Sequence, residues 1–209
     1  MRSTRISHKN SPRLGSFRIN PVVKLLISSD FLIVSAFGLL APVFAIFLTD
    51  SIQGGSVEVA GFAAAIWALS RGIFQIPMGI ISDRGVGRHW DFKLLLGGSL
   101  GIALIPLAYL FAETPLHIYL IQGMYGFFQA MAWPTWTAVF TRYIDPHEEG
   151  FEWATYQTVV DFGVAAAAGI GGVVAFKFGF EPLFMAVSAF SIFGFLILVN
   201  LYLRVRRAA

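Results

Sequence analysis

Three ionisable residues stand inside otherwise apolar runs of the 209-residue chain: Asp30, Arg71 and Asp161. A charge in such a run is costly, and it persists where it pairs, lines a solvated path or meets a ligand. Arg71 precedes Asp83 by 12 residues and Asp161 follows Pro146 by 15. At the rise of an α-helix they lie ~18 Å and ~22 Å from the ends those residues mark. Matching depth makes Arg71 and Asp161 candidates for an intramembrane ion pair, between two chains or within one. Asp30 lies ~9 Å into its own run, where a carboxylate takes up a proton or a cation or faces the headgroups.

A second set is polar and aromatic. Gln122, Tyr125, Gln129, Trp133 and Trp136 recur at spacings of 3, 4, 4 and 3, with Pro134 among them, which places all five on one side of a helix. Such a face joins hydrogen-bonding amides to rigid aromatic walls. Trp133 stands about ten residues from the basic boundary at Arg142, too deep for an interfacial aromatic belt alone. Trp67, Gln75 and Gln157 are weaker candidates for the same surface.

Covalent chemistry is poorly served. There is no cysteine, His8, His89, His117 and His147 are scattered without metal-ligand spacing, and no serine–histidine–acid set stands in a recognisable context. Gly169-Ile170-Gly171-Gly172 lies inside an apolar run rather than after a soluble strand. No enzyme, cofactor or metal is expected.

The elements that must carry these residues are membrane helices. The chain is 56% hydrophobic and 13% charged, too apolar for a soluble domain with a polar shell. Runs 31–49, 94–112, 114–141 and 182–203 lack Asp, Glu, Lys and Arg, and each reaches the ~18 residues a spanning helix needs. Runs 57–81 and 151–176 qualify once Glu58 at the edge of the first, Arg71, Glu152 and Asp161 are allowed. Backbone in lipid must satisfy its own hydrogen bonds, and the alternation of a barrel is absent, so the expected fold is an all-α membrane protein. Six transmembrane helices are expected at about 22–48, 57–82, 92–112, 115–142, 146–176 and 182–203, between basic tails at 1–21 and 204–209. Asp145-Pro146-His147-Glu148 reads as the N-cap, first residue and first-turn acid of the fifth.

Charge orients the bundle. Arg2, Arg5, Lys9, Arg13, Arg18, Lys24, Arg84, Arg88, Lys93, Arg142, Arg204, Arg206 and Arg207 would all fall on one side, with only Lys177 opposite. The positive-inside bias puts both termini in the cytoplasm of a cell inner (plasma) membrane protein. The basic tail reads as an orientation signal and surface tether, and nothing supports nucleic-acid binding.

After the second span comes Gly79-Ile80-Ile81-Ser82-Asp83-Arg84-Gly85-Val86-Gly87-Arg88-His89. This resembles the signature loop of the major facilitator superfamily, with Gly79, Asp83, Arg84, Gly87 and Arg88 in the expected places and His89 in place of a second base. A Gly171-Gly172 pair late in the fifth span and the Phe178-Gly179-Phe180-Glu181-Pro182 turn add to the likeness. The resemblance implies a transporter of a small solute by alternating access, with this chain as one six-helix half of a twelve-span architecture. It ends at Arg206-Arg207-Ala208-Ala209, where a longer relative would enter its central linker. Two parallel copies would complete the architecture, so a homodimer in the lipid bilayer is expected, helix 2 of one chain against helix 5 of its partner. The loop of Gly79, Asp83, Arg84, Gly87 and Arg88 would then gate the cytoplasmic side. Asp30, Gln122, Tyr125, Gln129, Trp133, Trp136 and Gln157 would line the substrate cavity.

Two departures weaken proton antiport. Gln122 stands four residues before Gly126 where drug/proton antiporters carry arginine, and Ala167-Ala168 stands where they carry Gly-Pro. A non-transporting scaffold or partner subunit, or a truncated transporter half, is the alternative reading.

Overall fold

The computed structural model describes residues 19–84 and 90–207. Where six helices were expected, the described residues form seven: α1 (Pro21–Leu40), α2 (Phe44–Asp50), α3 (Val57–Arg84), α4 (Trp90–Tyr109), α5 (Pro115–Tyr143), α6 (Glu149–Phe178) and α7 (Phe180–Arg207). The extra helix comes from a break in the first run. Pro42 has no amide hydrogen to continue the ladder, Val43 N turns back to Leu40 O at 3.1 Å, and α2 restarts with Phe47 N donating to Val43 O. At the other end of α1, Asn20 Oδ1 accepts from Val22 N at 2.9 Å and Pro21 takes the first helical position, where its missing donor costs nothing.

α6 also departs from expectation at its start. Asp145 and Pro146 do not begin the helix, because His147 adopts φ 74°, a left-handed conformation costing an L-residue about 1–2 kcal/mol. Glu148 N closes a turn onto Asp145 O, and Glu148 becomes the residue before the helix. Between α6 and α7 stands Gly179 alone, at φ 80°, where a glycine avoids the Cβ penalty.

α1, α3, α4, α6 and α7 are long and apolar enough to cross a membrane. α5 has the length, at 29 residues, and a more polar face. It stays helical through Pro134, flanked by Thr135 and Thr137, whose hydroxyls donate to Met131 O and Trp133 O, local bonds of the kind that make a proline tolerable within a span.

The six long helices form an arc. α3 packs on α5, α5 on α4, α4 on α7, α7 on α1 and α1 on α6, with lighter contacts of α6 on α7, α1 on α5 and α3 on α4. α3 and α6 are thus its two edges. Only Val59 and Ala63 of α3 are buried. Gly126 sets the α3–α5 distance, since a Cβ there would collide with Trp67 O, Arg71 N and Ser70 Cβ. A small residue at the crossing lets backbones approach, the source of most packing energy between helices in lipid.

Two apolar cores sit at opposite ends. One gathers Val23, Leu26, Phe92, Leu95, Val139, Phe140, Leu198 and Leu201 at the end rich in arginine and lysine. The other gathers Leu39, Leu40, Phe47, Leu48, Tyr109, Ile118, Leu183 and Phe184. α2 belongs to the second, where Phe47 meets Phe184 edge-on at 4.9 Å.

Candidate functional site

Within the arc, bordered by Ile33, Leu95, Trp136, Val160 and Leu198 of the core at the basic end, lies a cavity of about 340 Å³, lined from α1, α3, α4, α5, α6 and α7. Its volume suits a small solute. Asp30 from α1 and Arg71 from α3 are its acid and its base. Tyr156 Oη donates to Asp30 Oδ2 at 2.7 Å, so the carboxylate is held from α6. Arg71 Nε donates to Gln75 Oε1 at 3.2 Å, and its guanidinium lies 5.8 Å from the Trp67 ring centroid. A cation over an indole face is attracted by the ring quadrupole, by about 0.5–1 kcal/mol where exposed and more where dry.

A relay of polar groups ties α3 to α5 along the wall. Trp67 Nε1 donates to Gln129 Oε1 at 3.1 Å, and Gln129 Nε2 donates to Tyr125 Oη at 2.8 Å. Ser70 Oγ donates to Gly123 O at 2.7 Å. Tyr125 is stacked flat on Phe37 of α1, ring centroids 5.0 Å apart. Deeper toward the basic end, Trp133 and Trp136 stack at 5.8 Å, Trp136 meets Tyr156 at 4.7 Å, and Phe140 meets Trp153 at 4.6 Å. The aromatic series closes that end of the cavity and leaves Trp136 Nε1 buried without a hydrogen-bond partner.

Of the residues singled out in the sequence, Asp30, Tyr125, Gln129, Trp133, Trp136 and Gln157 line the cavity. Gln122 is buried on α5 and is not among the lining residues. Tyr156, Phe37 and Ser99 line it without having been singled out. Arg71 and Asp161 are not brought together within one chain: α3 and α6 are the two edges of the arc, and Asp161 is exposed on α6. Gly79 and Asp83 line a shallow groove between the ends of α3 and α5, beside Arg142, and Arg84 is exposed at the last turn of α3. Gly87 and Arg88 lie outside the described residues. Arg142 Nη1 donates to Asp91 Oδ2 at 2.7 Å, tying the end of α5 to the start of α4.

Long apolar helices curved around a cavity that holds one acid, one base and a wall of amides and indoles define a multi-pass membrane protein with a central polar site. Residues 26–209 match the family model of the Major Facilitator Superfamily, and the chain belongs to that family. Among curated proteins it is similar to the multi-drug resistance efflux pump PmrA of Streptococcus pneumoniae, in strains TIGR4 and R6, with 26% identity over 167 residues. That alignment covers 77% of this chain and 40% of the pump.

Proposed function

We propose that the chain is one six-helix unit of a membrane transporter that moves a small solute by alternating access, completed by a second copy of itself. The reading rests on one observation above others: a cavity that holds Asp30 and Arg71 and is lined from six long helices, in an arc whose edge helices are largely unburied. A second arc facing the first would enclose the cavity on both sides. Rocking of the two units about the shared axis would then expose it to one side of the membrane and the other in turn.

In this arrangement both termini are cytoplasmic and the membrane is the plasma membrane, in keeping with the basic end of the bundle. α3 of one chain lies against α6 of its partner, which sets Arg71 near the partner's Asp161 at similar depth. Asp83 would approach the start of the partner's α6, where the helix dipole favours an anion by about 0.3–1 kcal/mol, and would latch the cytoplasmic side. Asp30, with Tyr156, Trp133 and Trp136 around it, suits a solute that carries a cationic group on an apolar body. The efflux pump it resembles is named for multi-drug resistance, which accords with such a site.

Reconstitution in liposomes tests this. A lipophilic cationic dye should be transported by the wild type, and Asp30→Asn or the pair Gln129→Ala and Trp133→Ala should slow it at least tenfold while elution volume stays unchanged. Native mass in lipid should be twice the 22.9 kDa of one chain. A monomer without dye transport overturns the reading in favour of a scaffold or an incomplete half.

A further inference from the structure

Where α5 hands over to α6, Asp145, Glu148 and Glu152 each bring a carboxylate oxygen within 4.8 Å of the other two. Glu152 is fully buried. Its Oε1 accepts a long 3.4 Å bond from Asp145 N, while Oε2 has no hydrogen-bond partner. Glu148 Oε2 is likewise buried and unpartnered. Among the described residues the salt bridge is made elsewhere, between Arg142 and Asp91, and no described base pairs with the three acids. The start of α6 supplies about half a positive charge, against as many as three negative ones. A buried carboxylate without a counter-charge is strongly unfavourable, and here two of the three acids each keep a dehydrated oxygen with no hydrogen-bond partner.

We propose that Asp145, Glu148 and Glu152 bind one hard divalent cation of the Ca²⁺ or Mg²⁺ class. Carboxylate oxygens suit such ions, which take ligands at about 2.0–2.6 Å. Oxygens on opposite sides of one ion are then ~4–5 Å apart, and these three already lie within that span. The ion would join the end of α5 to the start of α6. Glu152 stands one helical turn before Tyr156, so the cation braces the helix that holds Asp30. The inference stands apart from transport, because its readout is cation binding.

The full chain in lipid nanodiscs, stripped with chelator, is titrated with Mn²⁺ and followed by electron paramagnetic resonance of the free ion. One saturable site per chain is expected, displaced by Ca²⁺ or Mg²⁺. Glu152→Gln and Glu148→Gln should each weaken it at least tenfold, while Glu58→Gln, in the first turn of α3, leaves it unchanged. Without cation, Glu152→Gln should unfold at the wild-type temperature or above it, because it removes a repelled charge, and added cation should raise the unfolding temperature of the wild type alone. If Glu152→Gln fails to fold, Glu148→Gln decides. No saturable binding at millimolar Mn²⁺, the result expected if a proton or another chain's arginine neutralises the cluster, overturns the proposal. Undiminished binding in both variants does so equally.

Discussion

Tyr156 on α6 donates a 2.7 Å hydrogen bond to Asp30 on α1, 126 residues away in the chain. The bond makes the carboxylate a fixed part of the cavity wall. Tyr156→Phe removes the donor and leaves Asp30 without it, a loss of about 1–3 kcal/mol for a buried polar group. Thermal unfolding followed by tryptophan fluorescence should fall by several degrees. Asp30→Asn keeps an acceptor for Tyr156, so its unfolding temperature should stay close to wild type although dye transport is lost. Destabilisation by Asp30→Asn with none by Tyr156→Phe would mean that the charge, rather than the bond, matters to the fold.

Gly126 lies where α3 meets α5, with Trp67 O, Arg71 N and Ser70 Cβ around the place a side chain would occupy. Gly126→Leu should push the helices apart and cost about 1–3 kcal/mol or more, read as loss of yield and of unfolding temperature. Gly150→Ala, where a Cβ meets nothing within 4 Å, is the matched control and should be neutral or slightly stabilising.

The Arg142–Asp91 pair predicts an asymmetry. The side chain of Arg142 is 56% exposed and that of Asp91 9%, and Asp91 Oδ1 also accepts from Phe92 N at 2.9 Å. Arg142→Ala leaves the buried Asp91 carboxylate to its backbone bond alone and should cost about 1–3 kcal/mol. Asp91→Ala removes the backbone bond as well and should cost more. A double-mutant cycle on unfolding temperatures measures both.

Arg71 and Asp161 supply a test of assembly. Arg71→Asp and Asp161→Arg should each reduce dimer in native mass spectra. Co-expressed as separate chains, the two variants make both contacts of a mixed dimer complementary, one reversed in charge and one native, so dimer should return in the mixed sample. A double variant in one chain that is dimeric, with the mixed sample monomeric, would contradict the proposed contact.

Local periodicity carried much of this site. The spacing of Tyr125, Gln129, Trp133 and Trp136 is helical, and one helix sufficed to bring them to one wall. The same spacing includes Gln122, but the face it marks runs past the end of the cavity, and no periodicity reports where a cavity stops. Asp30 and Tyr156 meet through the packing of α6 on α1, which leaves no trace in either segment. Equal depth relates Arg71 to Asp161 along the membrane normal, whereas their placement on opposite edges depends on the order of helices around the arc. At the start of α6, the proline rule was outweighed by a single left-handed residue, His147. Pro42, by contrast, sits in plain view as the cause of the break after α1, and a count of apolar residues passed over it.

The edges of the arc are helices, and this separates them from the edges of a sheet. Their backbone hydrogen bonds are already made, so no unpaired amide drives α3 or α6 toward a neighbour. Lipid tails can cover either helix, and what favours a protein contact over a lipid one is side-chain packing and a few polar bonds. The proposed association through these edges would therefore follow two-dimensional mass action. Diluting the protein in lipid should separate the units without unfolding them, and crowding the membrane should bring them back together.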